Sequence, residues 1–294
     1  MNERDWEILK VIVQERSAAK AAERLFMSQP AISYRMSLME QEMNCKLFVR
    51  NNKGVSLTSA GDRLFSFTDK MLRQFVDIRD HVRNKDGVLS GTIRFGVPSA
   101  FAERHMPAIL HGFRVKYPAV SIELSVGISN EVMRRMYLNE ILAAIVRGNH
   151  QWSENSIHLY NEPIEIIAPF AFQTIDGLKH FPYISYRADP VLQYQIDRWL
   201  HENFSVPPAP AVNTDSVQAC VNLVQEGLGW TLVTSTRVFN NEKIFKTTAR
   251  DSAGIPYLRP SYLIYANAVA EYDIYMVFIH YIQNWISQSG LRQA

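Results

Sequence analysis

Two cysteines, Cys45 and Cys220, stand in a chain of 294 residues. They are far apart and form no CxxC pair, so neither a structural disulfide nor a cysteine-based zinc site is expected. None of the eight histidines falls in an HxxxH or comparable pair with cysteine, which removes the other common route to a bound metal. No metal and no cofactor is expected. Long apolar runs are missing too: nothing approaches the roughly 18–20 residues needed to cross a bilayer. The opening Met1-Asn2-Glu3-Arg4-Asp5 is polar and charged, with no apolar signal segment behind it. A cytoplasmic protein without a membrane partner is expected. Catalytic signatures are lacking: there is no GxSxG and no P-loop, and Gly227-Leu228-Gly229 lacks the third glycine of a dinucleotide fingerprint. An enzyme is therefore not the expected reading. An excess of one charge sign is also absent, the formal net charge being +2. Within that balance, the first 88 residues hold 15 basic and 12 acidic side chains, the remainder 16 and 17. The slight basic surplus at the N-terminal end suits a polyanion, without being strong enough to require one.

What is present fits an ordinary globular chain, with 47% hydrophobic and 20% charged residues and length for two or three domains. Trp6, Leu9, Ile12 and Val13 have the three-to-four spacing of a buried helical stripe. Ser17 is placed to cap an alanine-rich helix over residues 18–25, and Ser28, followed by Gln29-Pro30, caps a third helix running to about Glu42. On that helix Ile32, Met36, Met39 and Met43 form the core arc, while Pro30, Ser33, Tyr34 and Ser37 lie opposite. Short helix, tight turn and a helix with a small polar outer face predict a helix-turn-helix whose last element enters the major groove. Periodicity alone leaves a plain helical hairpin equally open. Residues 47–50 and 55–58 then read as two short strands joined by Asn51-Asn52-Lys53-Gly54, a β-hairpin wing. Arg50 and Lys53 sit where a wing meets phosphate or the minor groove.

From residue 60 to about 84 there is no proline, and no glycine after Gly61. Leu64, Met71 and Ile78 repeat every seven residues, with Phe75 and Val82 as the interleaved row and Thr68 breaking it. This pattern predicts a dimerising seam about three heptads long, spanning ~37 Å; a helix buried on its own domain is the alternative. A polar, glycine-containing hinge follows at residues 84–91.

Beyond the hinge, strand and helix patterns alternate, which predicts an α/β sheet with helices on both faces. Expected strands cover residues 92–97, 120–126, 143–146, 164–168, 183–186 and 229–233; expected helices cover 101–116, 130–138, 192–202 and 216–226. Ligands of such sheets bind beyond the carboxyl ends of strands, where helix N-termini present free amides. Those ends carry Ser99 and Ala100, Ser129, Arg147, and in the later half Thr214 and Ser216. Hydroxyls converging with one arginine suit a small anion; a neutral ligand held by Ser99, Ser129 and Trp230 is the alternative.

Residues 17–22, Ser28-Gln29-Pro30-Ala31-Ile32-Ser33, Met39-Glu40, Leu47-Phe48-Val49-Arg50 and residues 57–61 together resemble the N-terminal signature of LysR-type transcriptional regulators. The resemblance implies an α plus α/β chain: a winged helix-turn-helix over 1–59, a dimerising linker helix and hinge over 60–88, and a two-lobed, Rossmann-like effector domain over 89–294 that resembles periplasmic binding proteins. Lobe I would comprise 89–162 and 267–294, and lobe II 163–266, with crossings near 161–163 and 265–267 and a final helix over 271–288. DNA contacts would fall on Gln29, Pro30, Ser33, Arg50 and Thr58, with Tyr34, Arg35, Ser37 and Lys53 beside them. Implied partners are double-stranded DNA carrying an interrupted palindrome, a small and anionic effector, a second copy of the chain in a dimer that pairs into a tetramer, and RNA polymerase if the output is activation. The chain departs from the pattern at Ala19, Tyr34, Ser37, Asn44 and Leu142, the last replacing an aspartate. A solute-binding protein or an enzyme with the same two-lobed fold is the competing reading.

Overall fold

The computed structural model of the chain describes residues 1–51, 54–83, 89–172, 174–234 and 244–291. The chain divides into two compact units, residues 1–88 and 89–294, each with its own core.

The first unit consists of α1 (Glu3–Glu15), α2 (Ala18–Arg24), α3 (Gln29–Glu42), the hairpin β1 (Phe48–Asn51) and β2 (Gly54–Leu57), and α4 (Ser59–Arg83). Each early helix begins at a side-chain cap that satisfies an otherwise orphaned amide. Asn2 and Asp5 form a reciprocal capping box, Ser17 accepts from the Lys20 amide, and Ser28 accepts from the Ala31 amide. The helices close on Ile8, Leu9, Ile12, Ala21, Ala22, Ile32, Met36 and Met39, with Leu47 and Val55 contributed by the hairpin. Trp6 and Val13 are only half-buried, so the buried stripe of α1 is centred on Ile8 and Ile12. Met43 falls past the end of α3 and is exposed.

Three contacts fix the wing. Backbone Arg16 adopts a left-handed cap and its carbonyl accepts from the Val55 amide at 2.8 Å. Gly54, at φ 113, stands so close that a Cβ there would lie 2.1 Å from the same carbonyl. The Glu40 carboxylate accepts from the amides of Leu47 and Phe48 and from Lys46 Nζ, at 3.0, 3.1 and 2.7 Å. Burial alone would raise the Glu40 pKa, but these donors outweigh it and hold the carboxyl below its ordinary value.

Helix α4 has two apolar faces. Leu64 and Phe65 pack against the first unit's core, Thr68 and Leu72 are buried, and Asp69 pairs with Lys10 at 3.1 Å. Phe67 and Phe75 are instead 57% and 45% exposed. At 3.6 residues per turn, Phe67, Leu64, Met71 and Phe75 share an arc of about 80°, an apolar stripe that overlaps the expected heptad row at Leu64, Met71 and Phe75 and adds Phe67 to it. The side chains of Ile78 and Val82, and residues 84–88 of the hinge, lie outside the described residues.

In the second unit, β3 (Gly91–Pro98), α5 (Ser99–Arg104), α6 (Met106–Lys116), β4 (Val120–Gly127), α7 (Ser129–Tyr137) and β5 (Ala143–Arg147) alternate, followed by the long β6 (Asn155–Ala168). Then come β7 (Tyr183–Tyr186), α8 (Pro190–Asn203), β8 (Pro210–Thr214), α9 (Val217–Gln225), β9 (Thr231–Thr234), β10 (Phe245–Thr248), β11 (Leu258–Tyr265) and α10 (Asp273–Gln288). The main sheet has the order β10-β6-β11-β5-β3-β4, with β9 also on β6, and β7 pairs β8 in parallel. One core gathers around Phe95, Phe113, Ile145, Phe278 and Ile282, the other around Ile166, Trp199, Val221, Trp230 and Leu232.

Several features differ from the sequence expectation, among them β8 and β10, which match no expected strand. The helix anticipated over 101–116 is two helices that meet at His105. The strand anticipated at 164–168 is the end of a 14-residue strand. Strand β11 was not anticipated, because Arg259 and Pro260 interrupt its apolar pattern. Its pairing with β6 runs from Leu258↔Pro163 to Tyr265↔Asn155, so the second crossing falls near residues 258–261 rather than 265–267.

Gly54→Ala should cost the first unit about 2 kcal/mol or more, combining left-handed strain with a clash against fixed backbone; the denaturation midpoint measures it, with Ser56→Ala as control. Because the Glu40 pKa is depressed, its stabilisation is present above about 4.5 and is lost as pH falls through the lowered folded value. Glu40→Gln should flatten that acid-side decline in a pH series of unfolding curves.

Candidate DNA-reading face and ligand cavity

The first turns of α3 present Gln29 and Pro30 exposed, Ser33 half-buried, and Tyr34 at 64% exposure. Ser37 is exposed on the same side, but its hydroxyl donates to the Ser33 carbonyl at 3.2 Å. Arg35 does not join this face: its guanidinium reaches back to Asp5 at 3.2 Å and ties α3 to the start of α1. Thr58 is likewise structural. Its hydroxyl donates to the Lys46 carbonyl at 2.7 Å and accepts from the Gly61 amide at 3.0 Å. Arg50 pairs with Val55 through the hairpin backbone, while its side chain, and Lys53 entirely, lie outside the described residues.

In the second unit a cavity of about 320 Å³ lies among the first residues of α5, α7, α8 and α9. Ser99, Ala100 and Ser129 line it from one lobe, and Arg187, Asp189 and Ser216 from the other. The serines are partly committed. Ser99 donates to the Gly127 carbonyl at 3.4 Å, Ser129 Oγ accepts from the Arg147 amide at 3.0 Å, and Ser216 Oγ accepts from the Ala219 amide at 3.3 Å. Thr214 does not line the cavity; its hydroxyl accepts from the Ser216 amide.

Two sequence expectations are corrected. Trp230 is fully buried, stacks on Phe204, and donates through Nε1 to the Phe181 carbonyl at 3.2 Å. It belongs to the core of its lobe. Arg147 does line the cavity, but its guanidinium is ion-paired with Glu162, and both are buried. Its charge is already matched, so it is not the partner a ligand anion needs.

A second buried pair, Arg259–Asp189, lines the same cavity. Asp189 also caps α8, Oδ1 accepting from the Leu192 amide at 3.1 Å. Arg259 Nη2 donates further to the Arg147 carbonyl at 3.3 Å. Arg187 is exposed and makes no ion pair among the described residues. Glu162, Asp189, Arg187 and Arg259 escaped the sequence reading; the one available signal was the isolated acids and bases beside apolar strands. Two histidines have lowered pKa values. Burial, with Arg104 and Arg147 adding to it, pushes His105 down to about 4, and burial also lowers His150 despite its bond to the Arg147 carbonyl.

Among the described residues no group of His, Cys, Asp and Glu could hold a metal ion, and no helix is long and apolar enough to cross a membrane. Glu162→Gln should destabilise the second unit by about 3–5 kcal/mol, by leaving Arg147 buried without its counter-charge. The double substitution Arg147→Met, Glu162→Leu should recover most of that loss, which thermal unfolding of the three proteins will show.

Comparison with known proteins agrees with this geometry. Residues 4–62 match the model of the bacterial regulatory helix-turn-helix protein, lysR family, and residues 86–265 match the LysR substrate binding domain. The chain is 31% identical over 283 residues to the uncharacterized HTH-type transcriptional regulator YraN of Bacillus subtilis, covering 96% of this chain and 98% of that one. It is 27% identical over 285 residues to YkuM of the same organism, at 96% and 97% coverage. Among solved structures, full-length CbnR complexed with its target DNA aligns with a TM-score of 0.73 at 15% identity, covering 97% of this chain and 99% of that one. A variant of full-length OxyR from Pseudomonas aeruginosa aligns at 0.65 and 18% identity, with 97% and 94% coverage. A helix-turn-helix with a wing, a long helix and a two-lobed ligand domain therefore come together in a chain that belongs to the LysR family of transcriptional regulators.

Proposed function

We propose that this chain is a cytoplasmic, non-catalytic regulator that binds an interrupted palindrome as a dimer and answers to a small anionic effector. The exposed, small-residue face at the N-terminus of α3 carries the DNA reading. Gln29, Pro30 and Tyr34 are exposed and Ser33 is half-buried, while Ile32, Met36 and Met39 of the same helix face the core, and the structural neighbour CbnR is described in complex with its target DNA. Arg50 and Lys53 on the wing would meet phosphate. The outward stripe of α4 would form the dimer seam, with residues 1–59, 60–88 and 89–294 as working domains. Pairing of dimers into a tetramer and contact with RNA polymerase during activation complete the reading.

The cavity supports the effector half of the proposal. Helix N-termini, hydroxyls and cationic side chains meet at a volume suited to a small molecule. The same cavity in a transport protein or enzyme would serve uptake or turnover, so purified protein should consume none of the small carboxylates that it binds.

Footprinting should show two symmetric half-sites protected together; a single half-site at saturation overturns the dimeric reading. Ser33→Ala or Gln29→Ala should cost ~1–3 kcal/mol and relax preference at one base position. Arg50→Ala should weaken binding to all sequences alike and lower the salt slope by about one.

A further inference from the structure

We propose that Phe26, in the turn between α2 and α3, contacts the 5-methyl group of a thymine at the edge of each half-site and adds an apolar letter to what the head reads. The proposal rests on the reading of α3 as the DNA-reading helix. Phe26 is 97% exposed, the most of any large apolar side chain among the described residues. Its neighbours Leu25 and Met27 pack against the core of the first unit, so the turn holds one apolar residue in water between two that it covers. A lone exposed apolar side chain is common on protein surfaces. What sets Phe26 apart is its backbone.

Phe26 has φ 54, in the left-handed region where Cβ crowds the following carbonyl oxygen. Among the described residues the other non-glycine positions with positive φ are Arg16, Asn44 and Asn139. Asparagine tolerates this conformation, and Arg16 uses it to aim the carbonyl that holds the wing. The turn itself has no need of a ring. The Phe26 amide donates to the Glu23 carbonyl at 3.2 Å and the Met27 amide to the Ala22 carbonyl at 2.9 Å, bonds that glycine or asparagine at this position would make at lower cost. Phe26 is therefore strained in its backbone and unpacked in its side chain. An outlier of this kind points to function rather than to folding.

Position and chemistry name the contact. Phe26 precedes the cap Ser28 by two residues and the exposed Gln29 by three, so its Cα lies within about 11 Å of the first reading residue. A phenyl ring forms no hydrogen bond with phosphate or with a polar base edge. The apolar feature displayed in the major groove is the thymine methyl, and phenylalanine is among the side chains that meet it. Nearby polar groups are held within the head: Arg24 pairs with Glu15 at 2.7 Å, and Ser28 Oγ accepts from the Ala31 amide at 3.4 Å. A protein partner would need a far larger surface than one ring, and no other large apolar side chain of this turn is exposed.

The test uses the full-length protein. A duplex is selected from a randomised pool with the wild-type chain, and each thymine of one half-site is replaced in turn by deoxyuridine, which removes only the methyl group. Wild type should lose about fourfold in affinity at one thymine, the factor that burial of a methyl-sized group contributes. Phe26→Asn should bind the parent duplex roughly tenfold more weakly, since two heads lose the contact. In that variant the deoxyuridine penalty should vanish at the one thymine and persist at the others. Because asparagine relieves the backbone, hydrogen exchange in α2 and α3 should be unchanged or slower. Faster exchange accompanying the lost affinity makes the ring structural and overturns the proposal. Wild-type affinity in Phe26→Asn overturns it as well. Weaker binding with the deoxyuridine penalty intact at every thymine overturns the methyl contact. If the wild-type chain enriches no duplex, the DNA reading of α3 falls, and this assignment with it.

Discussion

The antiparallel pairing of β6 with β11 is the constraint on which the ligand unit depends. Each strand belongs to the sheet of one lobe and continues toward the other, and the two are hydrogen-bonded from Leu258↔Pro163 to Tyr265↔Asn155. Where both strands cross, the ionisable residues Glu162 and Arg259 are both buried. Glu162 and Arg259 face each other across this ladder as register partners, yet each takes its ion pair elsewhere, with Arg147 and with Asp189. Charges so enclosed stand only if neutralised and hydrogen-bonded, and the two pairs meet this condition by reaching out to β5 and to the start of α8. The cavity forms where those reaches converge.

Much of this was legible from residues alone, for a physical reason. Helix caps at Ser17 and Ser28, the proline in the first turn of α3 and the asparagine–glycine wing are local devices, and local devices show in a local pattern. The alternation after residue 91 was legible for the same reason. What escaped depends on contacts between distant segments. Arg147 and Arg259 sit on neighbouring strands, 112 residues apart in the chain, and no spacing announces such a meeting. Trp230 follows a glycine before a strand, as a cavity-lining residue could, and only its packing on Phe204 and Trp199 shows that it is core. Arg35 misled in the same way: its position on α3 suits a groove contact, but the buried Asp5 of the capping box claims it.

The bond between the Arg16 carbonyl and the Val55 amide, with Gly54 pressed against the same atom, has a consequence for how such a head can evolve. From the other side the Glu40 carboxylate, at the far end of the recognition helix, grips the start of the wing. Helix and hairpin are thus riveted at two points into one template of fixed pitch. A duplex rises roughly 3.4 Å per base pair, so even a one-step slip between helix and wing would need both rivets broken. On the proposed reading of α3 and the wing as the DNA-touching parts, drift in the outward side chains changes which letters are preferred, while the interval between helix and wing within a single head is frozen. New operator spacings must come from the geometry between heads.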